Sequence, residues 1–110
     1  MSLRDMNCSF SPAALGEQDI ASLLAQLDSW TVNGNRLERR FALRDYHETI
    51  AFVNALAWMT HQQDHHPELA VTYNSCTASY STHSAGGKLT NIDFICAAKA
   101  DALYAQRAGA

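Results

Sequence analysis

The stretch from Asp45 to Pro67 limits what the rest of this chain can fold into. Within it Ile50, Phe52, Val53, Leu56, Ala57, Met59 and Thr60 recur at helical spacing. The face they make is too broad for a helix exposed along one side of a monomer. Asp45 can cap the start, and Glu48 three residues later completes a capping-box-like pattern. At the far end Asp64-His65-His66-Pro67 imposes a stop, because the residue before a proline is pushed out of helical geometry. A helix from Tyr46 to about Gln63 is therefore central, and a sheet is its natural cover.

The flanking sequence supplies strands. Trp30-Thr31-Val32 and the run from Arg36 to Leu43 bracket Asn33-Gly34-Asn35, and Asn-Gly tolerates the positive φ of a tight hairpin turn. Leu37, Arg39, Phe41 and Leu43 share one face of the second strand, with Arg39 the exception to its apolar character. After Pro67, Leu69, Val71 and Tyr73 alternate with Glu68, Ala70 and Thr72, which predicts a half-buried strand. Asn74-Ser75 signals a turn, and Thr77 to His83 reads as a second strand of small side chains.

Two further helices complete the order. Ser11-Pro12 reads as a helix start, and Ile20, Leu23, Leu24 and Leu27 form one stripe, predicting a helix from about Pro12 to Leu27 with a possible break at Gly16. Residues Met1 to Phe10 read as a frayed lead-in or short edge segment. Thr90 can cap a last helix, with Asp93 at its third position. The order helix, hairpin, helix, hairpin, helix predicts an α+β fold: a four-stranded antiparallel sheet with helices packed on one face. The other face is left to solvent or to another subunit.

At 110 residues the chain is expected to be a single domain, 1–110, and 47% hydrophobic against 17% charged residues predicts an ordered globule. A net charge of −3 gives no electrostatic case for nucleic acid or an anionic membrane. The apolar runs are shorter than the roughly 20 residues a membrane span needs. The charged MSLRDMN start argues against a secretory signal. Cys8, Cys76 and Cys96 are odd in number and widely spaced, which fits reduced thiols in a cytoplasmic protein, without a disulfide framework.

Chemistry concentrates between His61 and His83, which hold four of the five histidines. Histidine exchanges protons near neutrality, so the cluster points to acid/base work or to metal binding. His61 and His65 are four apart and would share a helix face, but Gln62 stands where a zinc protease needs its glutamate base. A zinc site from His61, His65 or His66, and His83 remains an alternative. His65, His66 and His83 sit at a proline corner and at a strand end, places where rigid elements hold side chains around a cleft.

Asp64-His65-His66-Pro67-Glu68, then Tyr73-Asn74, then Ser81-Thr82-His83, then Asp93 resembles the pterin-4a-carbinolamine dehydratase family. The element order and the Trp30 hairpin agree, so the resemblance covers nearly the whole chain. It implies dehydration of 4a-hydroxytetrahydropterin to quinonoid dihydropterin, recycling the pterin of aromatic amino acid hydroxylases, with no metal or organic cofactor. His65, His66 and His83 are the catalytic residues it implies. His61, Asp64, Ser81, Thr82 and Ser84 join them in gripping the pterin. Asp93 either holds a histidine tautomer or caps its helix. His61 stands where the family often has glutamate, and Leu69 where it commonly has tryptophan. The resemblance also implies a homo-oligomer, dimer or tetramer. Animal members bind a homeodomain transcription factor, a partner this sequence does not specifically support. The rival reading on the same fold is a binding or assembly module without catalysis.

Overall fold

The two hairpins pair into one sheet. The computed structural model describes residues 3–8 and 13–107. In chain order it has α1 (Glu17–Leu24), β1 (Thr31–Asn33), β2 (Arg36–Ala42), α2 (Tyr46–Gln63), β3 (Glu68–Thr72), β4 (Ser75–Tyr80) and α3 (Asn91–Ala105), with short 3-10 turns at Leu3–Asp5 and His83–Ala85. The sheet order is β1-β2-β4-β3 with every pair antiparallel. This is the expected α+β arrangement of four strands and helices. Among the described residues no helix is long and apolar enough to cross a membrane.

Register decides what the central strands bury. Leu37 lies opposite Tyr80, Arg39 opposite Ala78 and Phe41 opposite Cys76. Leu37, Phe41, Cys76, Ala78 and Tyr80 are all fully buried. Phe52 and Leu56 of α2 and Phe94, Ile95 and Ala97 of α3 complete that core. Phe41 sits 4.8 Å from Phe52 and 5.0 Å from Tyr104, ring centre to ring centre, in the tilted arrangements aromatic rings prefer. Arg39 is accommodated by pairing: it meets Asp101 of α3 at 2.7 Å, and its guanidinium lies 4.5 Å over the Phe41 ring. Trp30 donates to the same Asp101 oxygen at 2.8 Å. On the opposite face Glu38, Arg40 and Ala42 alternate with these core residues, as expected.

Four expectations are modified. The first helix begins at Glu17 rather than near Pro12, with Gly16 as its N-cap. The Leu15 N–H donates to Leu89 O, which ties residues 13–16 down as extended chain. Ser11 and Pro12 themselves lie outside the described residues. The lead-in does not simply fray: Leu3 is buried, and Lys99 donates to Arg4 O at 2.8 Å. β3 is exposed along its whole length instead of half-buried. It is an edge strand with a neighbour on one side only, so Leu69 and Val71 keep 37% and 42% of their surface. β4 stops at Tyr80, since the Thr82 N–H pairs with Lys88 O and His83 opens a 3-10 turn.

The long helix has the ends its sequence predicts but a narrower buried face: Phe52, Leu56, Met59 and Thr60 are buried, Ile50 and Val53 partly so, and Ala57 is exposed. Asp45 accepts from the Glu48 N–H at 2.8 Å, and Glu48 reaches back to the Arg44 N–H at 3.1 Å. The helix stops at Asp64, whose left-handed φ of 51° turns the chain into His65-His66-Pro67 and so into β3.

Candidate active site

Three segments meet at the C-terminal end of α2. The first is the corner itself, Gln62 to His66, the second is Ser81 to Ser84 beyond β4, and the third is Asn7-Cys8 of the N-terminal arm. With Ile92 of α3 they line a cavity of about 540 Å³, within the roughly 300–1,000 Å³ typical of small-molecule sites. A second hollow of about 600 Å³ surrounds Arg39 and Asp101. It contains no histidine, and its Asp101 carboxylate is already engaged by Trp30 and Arg39. The first cavity, which three histidines line, is the better equipped for acid/base chemistry.

His65 anchors it. The ring is buried, lies 2.6 Å through Nε2 from Asp93 Oδ1, and stacks on Tyr80 at 5.8 Å with planes 15° apart. Asp93 is fully buried, and its second oxygen accepts from the Thr82 hydroxyl at 2.8 Å and from the Thr90 N–H at 2.9 Å. Thr82 spends its single proton on Asp93, so at 2.7 Å the Thr90 hydroxyl donates to Thr82. A carboxylate only accepts, which puts the His65 proton on Nε2 and leaves Nδ1 as the basic atom of the neutral ring. Asp93 therefore makes both contacts the sequence left open: it caps the start of α3 and it bonds to the His65 ring. Burial raises the Tyr80 phenol well above its ordinary pKa, so it stays neutral, and its hydroxyl has no hydrogen-bond partner among the described residues.

His66 and His83 are exposed and line the same cavity, as do Asp64, Ser81, Thr82 and Ser84. His61 is not in this lining. It is exposed on α2 beside Trp58, 6.2 Å between ring centres. Among the described residues no three histidine, cysteine or acidic side chains converge as metal ligands. The His65 nitrogen nearest a carboxylate is already bonded to it.

Sequence reasoning missed the arm. Gln63 holds it from both ends, accepting from the Cys8 N–H at 3.0 Å and donating to Asn7 Oδ1 at 3.2 Å. Partners 55 and 56 residues apart leave no local periodicity or spacing to read.

The chain is similar to known proteins along most of its length. Residues 13–103 match the family model for pterin 4 alpha carbinolamine dehydratase. The chain belongs to that family. Among relatives named "Putative pterin-4-alpha-carbinolamine dehydratase", one from Nitrosospira multiformis is 44% identical over 88% of this chain and 85% of its own length. Another, from Stenotrophomonas maltophilia, is 50% identical over 84% and 80%. A crystal structure of a transcriptional coactivator/pterin dehydratase from Brucella melitensis superposes with a TM-score of 0.78 at 30% identity, covering 83% of this chain and 98% of that one. A dehydratase-like protein described as a RuBisCO assembly factor of the alpha-carboxysome superposes at 0.62 and 28% identity, covering 70% and 90%. The likeness to pterin dehydratases thus spans most of the chain, including the whole histidine corner.

Proposed function

We propose that this protein dehydrates a 4a-hydroxytetrahydropterin to the quinonoid dihydropterin and water. The observation that carries the reading is His65, locked by Asp93 at 2.6 Å on the wall of a cavity that His66 and His83 also line. The reaction protonates the departing 4a-hydroxyl, breaks its C–O bond and removes a proton from a ring nitrogen. Imidazoles can give and take both protons near pH 7, so the steps need no metal or organic cofactor. His65 and His83 are assigned to the hydroxyl side, and His66 to a third proton-handling or orienting role. Asp64, Ser81 and Ser84 supply polar contacts for the flat ring. The Thr82 hydroxyl is committed to Asp93, so its part is to support the site. The product is the pterin form that aromatic amino acid hydroxylases need recycled.

We further propose that the chain self-associates through the uncovered edge of β3. The support is that Leu69, Val71 and the adjacent Tyr73 all remain exposed along an unpaired strand edge.

The deciding experiment generates 4a-hydroxytetrahydropterin enzymatically and follows its decay with purified, metal-free protein. Acceleration is expected. His65→Ala and His83→Ala are each expected to cost roughly 10²–10⁴-fold while the circular dichroism spectrum is kept. Well-folded protein that gives no acceleration would sink the enzyme reading. It would then favour a binding role, of the kind described for the carboxysomal neighbour.

A further inference from the structure

Two of the three cysteines, separated by 88 residues, meet at the rim of the cavity: Cys8 Sγ lies 3.6 Å from Cys96 Sγ. Cys8 is half-buried on the arm and faces the cavity, whereas Cys96 is fully buried in α3. We propose that Cys8 and Cys96 are a redox pair that a peroxide converts to a disulfide, tying the arm covalently to α3. This does not depend on what the cavity binds.

The chemistry follows from the different surroundings of the two sulfurs. The hydrogen bond from Cys96 lowers the Cys8 pKa against the opposing effect of its burial, and nearby His65 and Lys99 lower it further. Cys8 is therefore the nucleophile and the sulfur a small oxidant can reach. Cys96 is held protonated by that same hydrogen bond and by burial, which suits it to the second step. The Cys8 thiolate attacks one peroxide oxygen; the O–O bond breaks, an S–O bond forms, and the other oxygen leaves as water after taking a proton. Cys96 sulfur then attacks the resulting sulfenic acid. The S–S bond forms, the S–O bond breaks, and the hydroxyl departs with the Cys96 proton as a second water. The two thiols lose two electrons and the peroxide gains them. Closing from 3.6 Å to the roughly 2.05 Å of a disulfide is a short movement, since the fold already brings the two sulfurs into contact. Cys76, buried within β4, is the internal control.

The full-length protein, reduced and freed of reductant, is exposed to a small molar excess of hydrogen peroxide. Free thiols are counted in denaturant, and the unreduced protein is mapped by peptide mass spectrometry. The expected result is loss of two thiols, one linked peptide pair carrying Cys8 and Cys96, and a melting temperature raised by at least roughly 5 °C. Dithiothreitol should reverse all three. Cys8→Ser, a change at a half-buried side chain, is expected to keep the Cys76 and Cys96 thiols intact under the same exposure. Retention of all three thiols, a bridge between two chains, oxygenated Cys8 beside free Cys96, or equal loss of the Cys96 thiol in Cys8→Ser would each overturn the proposal.

Discussion

Each oxygen of Asp93 has a separate duty, and the duties can be tested apart. Oδ1 orients His65, while Oδ2 takes the Thr90 N–H that opens α3 and the Thr82 hydroxyl. Asparagine can keep the Oδ2 contacts but must present an amide N–H to His65, which drives the ring proton to Nδ1. Asp93→Asn is therefore expected to lower kcat by roughly 10²-fold or more with a small change in melting temperature. Asp93→Ala leaves buried donors on three residues unpaired and should destabilise by roughly 2–4 kcal/mol. Near-normal turnover in a stable Asp93→Asn protein would remove the orienting role. Much of this was legible beforehand: the paired histidines, His83 and Asp93 stand out by type and spacing. That Asp93 serves two partners was not, because both duties predict the same residue at the same position. Nor could spacing show that His61 falls outside the cavity. That depends on where α2 turns, and Asp64 takes the left-handed conformation one residue after the helix ends.

At the scale of elements, the first turn of α2 carries a pH-sensitive contact. The Arg44 N–H and guanidinium bond to Glu48, with Arg107 nearby, and together they outweigh burial and hold the Glu48 carboxyl below the usual glutamate value. A carboxylate depressed in the folded state stabilises above its unfolded pKa, and that contribution is lost as pH falls through the folded value. Glu48→Gln is thus expected to melt at lower temperature at pH 7, with the gap to the parent protein closing as the pH drops toward 3. A gap independent of pH in thermal melts would contradict this. Helix and hairpin positions were readable because capping, alternation and Gly-containing turns are local signals. The start of α1 and the end of β4 were not, since Leu15 and Thr82 bond to Leu89 and Lys88, and the chain segments that meet there overrule local propensity.

For the whole molecule, the exposed β3 edge is the surface on which the proposed self-association rests. The proposed association predicts that sedimentation at micromolar concentration finds a dimer or larger species, and that Leu69→Lys with Val71→Lys shifts it toward monomer with the fold retained. A stable monomer of the parent chain would contradict it. The alternation of Leu69 and Val71 correctly predicted a strand. It could not say what covers them, because periodicity records a preferred environment and not its source. The docked arm carries a consequence of a practical kind. Asn7 on the cavity wall is only four residues on from buried Leu3, a span of at most about 14 Å of extended chain. A purification tag fused ahead of Leu3 is consequently carried on the same arm that lines the site. Turnover compared before and after such a tag is removed tests whether it interferes.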